Sequence, residues 1–142
     1  MRPTTRSPSS PDYALLGFRL LVALLVGVHG WYRLIEGSSP LFGEWLATQH
    51  VPFAHGVAWG VTISEVIGSA CIALGLCIRP FALLLIAIYT TGIVLVHAPD
   101  GWFVVGAGRN GMEYSVLLIG SLLLVKVQAK LTLAPISAPV MV

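Results

Sequence analysis

Charge is scarce in this 142-residue sequence: Asp, Glu, Lys and Arg together make up 10% of it, where a soluble domain carries about a quarter. That shortage, with 56% hydrophobic residues, excludes an ordinary water-soluble fold and indicates a membrane protein. The formal net charge of +2 gives no case for nucleic-acid binding. Cysteine is nearly absent. Cys71 and Cys77 fall in one apolar stretch, six residues apart, and point in different directions on a helix. They are too few and too buried for a zinc site or a thiol-exchange centre, and no metal site is expected. They read as small core residues. Flavin, iron–sulfur and dinucleotide motifs are also missing, so any redox role needs an electron donor on another protein. There is no internal repeat.

Long apolar runs are what the sequence does have. Tyr13–Leu34, Val57–Ile78, Phe81–Val96 and Tyr114–Val125, the last extending towards Leu133, each approach the roughly 20 residues needed to cross a bilayer. The expected fold is all-α: a transmembrane four-helix bundle with helices at about 13–34, 57–78, 80–97 and 113–133. Residues 1–12, rich in Ser, Pro and Thr, are expected to be a disordered leader, and 134–142, with Pro135 and Pro139, a tail without a fifth helix. The first run has a basic leader (Arg2, Arg6) but continues into His29-Gly30-Trp31-Tyr32-Arg33 without a small-residue cleavage site, so it reads as a retained helix. Four crossings gather Arg2, Arg6, Arg79, Lys126 and Lys130 on one side and leave Arg33 and Arg109 on the other. The positive-inside rule then puts both termini in the cytoplasm, with a turn at Arg79–Pro80 on the same side, and a multi-pass protein of the bacterial inner membrane is expected. In the outer link 35–55, Leu41-Phe42-Gly43-Glu44-Trp45-Leu46 suggests a short interfacial helix. Pro52 breaks the chain before the second span, and Pro80 suits the first turn of the third. The link 98–112 is glycine-rich (Gly101, Gly106, Gly108, Gly111), and its Trp102 and Phe103 fit an interfacial aromatic belt.

Glu65 stands alone inside the second run. A charge near the middle of a spanning helix costs about 2.5–3.5 kcal/mol on insertion scales, so it has a partner or a task. Helical spacing puts Ile63, Ile67, Leu74 and Ile78 on the opposite face, and Ser64, Gly68, Cys71 and Gly75 in a small-residue seam beside it. The first helix has a bulky face (Leu21, Leu24, Leu25, Val28) and a second face with Arg19, Ala23, Gly30 and Arg33, His29 at its edge. Thr90 and His97 align on the third helix, and Glu113, Gly120 and Gln128 on the fourth. Counting depth at about 1.5 Å per residue gives an outward-opening polar funnel floored by Glu65 and Arg19, expected to form an ion pair, with His29, Arg33, His97 and Glu113 above. Plainer roles stand beside these. Arg19 can snorkel to headgroups, and the ion pair can serve register alone. The histidines can be ordinary interfacial groups. Arg109 reads as an anchor, and Trp31, Tyr32, Trp102 and Tyr114 as belt residues.

These residues resemble a known family. His29-Gly30 with Arg33, Glu65-x-x-Gly68, Gly75-Leu76-x-x-Arg79, His97 with Gly101-Trp102-Phe103, and Asn110-Gly111-Met112-Glu113-Tyr114 are similar in order to the pattern of DoxX proteins, small four-helix membrane proteins. The resemblance spans about residues 13–130, and its most specific piece is Gly111-x-Glu113-Tyr114. Arg33 stands where lysine is commoner, and Met112 where glycine is. Some members are subunits of thiosulfate:quinone oxidoreductases and others accompany thiol-redox complexes. The resemblance therefore implies a redox-linked subunit with an outward polar site for a quinone or small lipophilic ligand. Glu65 and His97 are its candidate catalytic groups, and His29, Arg33, Glu113 and Tyr114 its candidate ligand-binding groups. Besides the lipid bilayer, the expected partner is a protein that supplies electrons, or further copies of the chain. The alternative is a non-enzymatic scaffold or assembly subunit. A bis-histidine haem on His29 and His97 requires the two to lie level, and a pore requires oligomerisation.

Overall fold

The computed structural model describes residues 10–105 and 109–133. The expected leader and tail fall largely outside the described residues; Ser10–Asp12, expected to be disordered, are helical. The described residues form helices and loops without a strand, the all-α class expected. The chain divides into two compact units, Met1–Leu76 and Cys77–Val142.

The first unit holds α1 (Ser10–Ile35), α2 (Ser39–Thr48) and α3 (Ala54–Leu74). The bulky face of α1 is exposed at Leu21, Leu24 and Val28, and that of α3 at Ile63, Ile67 and Leu74, as the periodicity predicts for lipid-facing surfaces. The faces that meet are made of Val22, Ala23, Val26, Gly27 and Gly30 on α1 and Ala58, Thr62, Glu65, Gly68, Ser69 and Ile72 on α3. With no aqueous phase to drive helices together, close approach and hydrogen bonding hold such a pair. Gly30 permits that approach: a Cβ there would lie 2.9 Å from Val66 Cγ2 and 3.0 Å from the Thr62 carbonyl oxygen. The expected seam is thus displaced. Ser64 and Cys71 are only half-buried and Gly75 is exposed, because the glycines that let the backbones close are on α1, facing Thr62, Glu65 and Ser69. The expected short helix is present as α2, packed on the start of α3 through Leu46 against Ala54 and Ala58.

The second span differs at both ends from the expected 57–78. It starts at Ala54, immediately after Phe53 in a left-handed conformation, and stops at Leu74. Gly75 (φ +79°) ends it. The Leu76 N–H reaches the Cys71 carbonyl at 2.8 Å and the Gly75 N–H the Ile72 carbonyl at 3.2 Å, the two bonds of a Schellman cap. The turn is therefore at 75–77 and not at Arg79–Pro80, and Arg79 and Pro80 are in the first turn of the next helix.

The second unit contains α4 (Ile78–Gly92), continued by a π-helical turn, Ile93–His97, and a 3-10 turn, Ala98–Asp100, and then α5 (Glu113–Leu133). α4 and α5 pack on each other, with Ala82 and Leu85 buried on α4 and Leu118, Leu122 and Val125 on α5. Among the described residues three helices are long and apolar enough to cross a membrane: Ser10–Ile35, Ala54–Leu74 and Ile78–Asp100.

Candidate functional site

Glu65 sits halfway along α3 on its buried face, 3% exposed, and its partner is Arg33, near the end of α1, whose side chain is 19% exposed. Arg33 Nη2 donates to Glu65 Oε2, and Arg33 Nε donates to the Thr62 hydroxyl at 3.1 Å. Thr62 donates its own hydroxyl proton back along α3 to the Ala58 carbonyl at 2.9 Å. The Ser39 hydroxyl, 3.2 Å away, must then be the donor to Thr62, which has a single proton to give. The guanidinium carbon lies 5.3 Å from the centre of the Phe42 ring, within cation–π range, and Phe42 stacks on Trp45. The network thus joins all three helices of the unit: α1 supplies the cation, α3 the anion and a hydroxyl, α2 a hydroxyl and an aromatic face. Neutralisation by a paired, hydrogen-bonded partner is how a buried charge is tolerated.

The expected Arg19–Glu65 pair does not form. Gly27 opposes Ser69, and Gly30 opposes Glu65. Arg19 therefore lies about 16 Å along the axis from Glu65 at the helical rise. Its guanidinium sits instead at the C-terminal end of α3, where Nη2 donates to the Ala73 carbonyl at 3.4 Å, a carbonyl the helix itself leaves open. A cation there also complements the helix dipole. Depth along each apolar run taken separately does not give the register of α1 on α3, which is set by the glycine contacts. Arg33, placed high in the expected funnel, reaches the residue placed at its floor. His29, one turn before Arg33 on α1, is exposed.

In the second unit the same residue types do another job. His97 Nδ1 is 2.7 Å from the Asn110 carbonyl oxygen. A carbonyl only accepts, so Nδ1 carries the proton and the neutral ring has Nε2 as its acceptor. Asn110, in the left-handed region at φ 59°, donates from Nδ2 to Asp100 Oδ2 at 2.9 Å. Glu113, the first residue of α5, accepts the Val104 N–H on Oε1 at 2.9 Å. Its own N–H donates to Trp102 O, and Met112 N–H to Gly101 O, each at 3.0 Å. Gly111 is pressed against this strap: a Cβ would be 2.5 Å from the Trp102 and Phe103 carbonyl oxygens, so no side chain fits. The segment Asn110-Gly111-Met112-Glu113 is therefore a clasp that fastens the loop to the start of α5. Tyr114 is half-buried in the first turn of that helix, Gln128 is half-buried near its end, and Arg109 is exposed.

The proposed funnel residues thus fall into two groups. The first unit brings Arg33 to Glu65, with His29 nearby on α1 and Arg19 apart; the second gathers His97, Asn110, Asp100 and Glu113. A family model, DoxX, matches residues 14–98, more than half of the chain. The chain belongs to the DoxX family. The DoxX match contains Arg19, His29, Arg33, Glu65, Arg79 and His97 and stops before Asn110-Gly111-Met112-Glu113-Tyr114, the stretch whose resemblance looked most specific. No curated protein and no solved structure matches the chain. Family membership and the apolar helices make this a multi-pass membrane protein with bilayer contact.

Thr62, Ser39, Phe42 and Asp100 carry weight that the sequence reading missed. Thr62 was the one with a signal: it lies three residues before Glu65 and so on the same helical face. Ser39 and Phe42 had none, because their place depends on how α2 folds back over α3.

Proposed function

We propose that the chain is a redox-linked membrane subunit that takes a quinone or another small lipophilic carbonyl compound at the Arg33 end of α1. The observation that carries the reading is a cation held in an apolar setting by a buried carboxylate, with its own side chain part-exposed. A quinone head needs hydrogen-bond donors at its carbonyls and a group that exchanges protons. Arg33 supplies donors fixed in direction by Glu65 and Thr62, and His29, one turn away and exposed, supplies the imidazole. Glu65 acts as the charge partner that holds Arg33 in place. His97 and Glu113 are engaged in the loop clasp and have no part in this site, and Tyr114 is assigned none. Electrons come from a partner protein, and the chain alone is not a complete catalyst. We place it in a bacterial inner membrane as four crossings, α5 being the fourth, with both termini in the cytoplasm.

The test is to purify the protein from its membrane, extract and assay quinone, and measure quinone reduction in membranes carrying Arg33→Met, Glu65→Gln or His29→Ala. The reading expects co-purified quinone and slowed reduction in the Arg33 and His29 variants when the rate is expressed per molecule of folded protein. Absence of quinone together with unchanged reduction rates sinks it.

The scaffold reading has its own observation: Arg33 and Glu65 are already spent on each other. It expects Glu65→Gln to lower abundance and partner recovery without changing turnover per molecule of complex.

A further inference from the structure

At the end of the second unit away from the loop clasp, the unit's own sequence supplies positive charge and no acidic side chain. Arg79 is in the first turn of α4, half-buried. Its Nε is buried and has no hydrogen-bond acceptor among the described residues. Lys126, half-buried on α5, has no carboxylate partner among the described residues. The two helices pack together and are tied at their other ends through His97, Asn110 and Glu113, so they run antiparallel. At the helical rise, Arg79 is about 27 Å and Lys126 about 20 Å from that tied end, close enough in level for two long side chains to share one ligand. Lys130 follows one turn later in the sequence. From residue 77 onward the acidic side chains are Asp100 and Glu113, both at the tied end, and Asp100 is already bonded to Asn110. Nothing acidic in the unit's sequence lies at the Arg79 end.

Arginine matches phosphate oxygens in geometry as well as in charge. At the mouth of membrane-spanning helices the anion at hand is a lipid phosphate. We propose that Arg79 and Lys126 form a binding site for the phosphodiester of an anionic phospholipid, with Arg79 as the directional donor and Lys126 as the second charge. The site is separate from the Arg33–Glu65 network and does not rest on the quinone reading.

The test is native mass spectrometry of the full chain released from detergent, titrated with phosphatidylglycerol or phosphatidylcholine. The wild type should retain phosphatidylglycerol in preference to phosphatidylcholine. Arg79→Gln and Lys126→Gln should each weaken phosphatidylglycerol binding about fivefold, the value of one surface charge against an anionic lipid. Arg79→Lys should lose less than Arg79→Gln, and Arg109→Gln, in the loop at the tied end, should change nothing. Inorganic phosphate at millimolar concentration should fail to displace the lipid; full displacement would assign the site to free phosphate and overturn the lipid proposal. Equal retention of the two lipids also overturns it, as does phosphatidylglycerol binding unchanged in both Gln variants. Circular dichroism of each variant, matching the wild type, ensures that a loss is not unfolding.

Discussion

The two polar clusters use nearly the same residue types and solve different problems. Between α1, α2 and α3, a cation and an anion meet inside a membrane-type packing, the carboxylate 3% exposed, and hydroxyls from two helices complete the set. In the 97–113 segment, His97 and Glu113 bond to backbone groups of Asn110 and Val104, and the Asn110 side chain bonds to Asp100, both of these residues being exposed. The first cluster is all-or-none, because removing Arg33 leaves the Glu65 carboxylate buried and uncompensated. The second is a set of separable bonds near water, each replaceable by solvent. A polar residue in a membrane protein is thus not a functional marker by type; what decides its weight is whether water can take over when its partner goes.

That contrast orders the expected effects of mutation. Arg33→Met should be the most damaging, about 3–5 kcal/mol, since it strands the Glu65 carboxylate; unfolding in a detergent titration followed by circular dichroism measures it. If the double variant Arg33→Met/Glu65→Met recovers most of that loss, the pair specifies register more than it stabilises. Gly30→Val comes next, about 1–3 kcal/mol from overpacking against Val66 and Thr62, and Gly111→Ala should cost a similar amount by forcing the strap off the start of α5; the same titration reads both. Thr62→Val leaves Arg33 Nε and Ser39 without their acceptor and should cost about 1–3 kcal/mol. Asn110→Ala should be mildest, about 0.5–1.5 kcal/mol for the bond to Asp100, and visible mainly as faster hydrogen exchange of the Met112 and Glu113 amides. A loss for Asn110→Ala as large as for Arg33→Met would erase the distinction between the clusters.

Much of the fold was legible from period and length. Ile63, Ile67 and Leu74 face outward as their spacing requires, α2 is where the 41–46 face suggested, and Pro80 sits in a first turn. The left-handed positions were partly visible: Asn110-Gly111 is a turn pair on its face, whereas Cys77 and Phe53, both at positive φ, carry no such mark. The helix break at Gly75 was hidden because apolar residues continue on both sides of it, and hydropathy does not register a cap. The inward direction of Glu65 could be read, but not its partner. Two arginines on α1 both fit the face, and only the contacts of Gly27 and Gly30 select Arg33 over Arg19.

The central claim is that Arg33, and not Arg19, is the counter-charge of Glu65. Paired double-mutant cycles test it most directly, with Glu65→Met combined once with Arg33→Met and once with Arg19→Met, each variant followed by reversible unfolding in mixed micelles. The account predicts a coupling of about 2 kcal/mol or more for the Arg33 cycle and none beyond about 0.5 kcal/mol for the Arg19 cycle, as for distant sites. Coupling in the Arg19 cycle with additivity in the Arg33 cycle would contradict it.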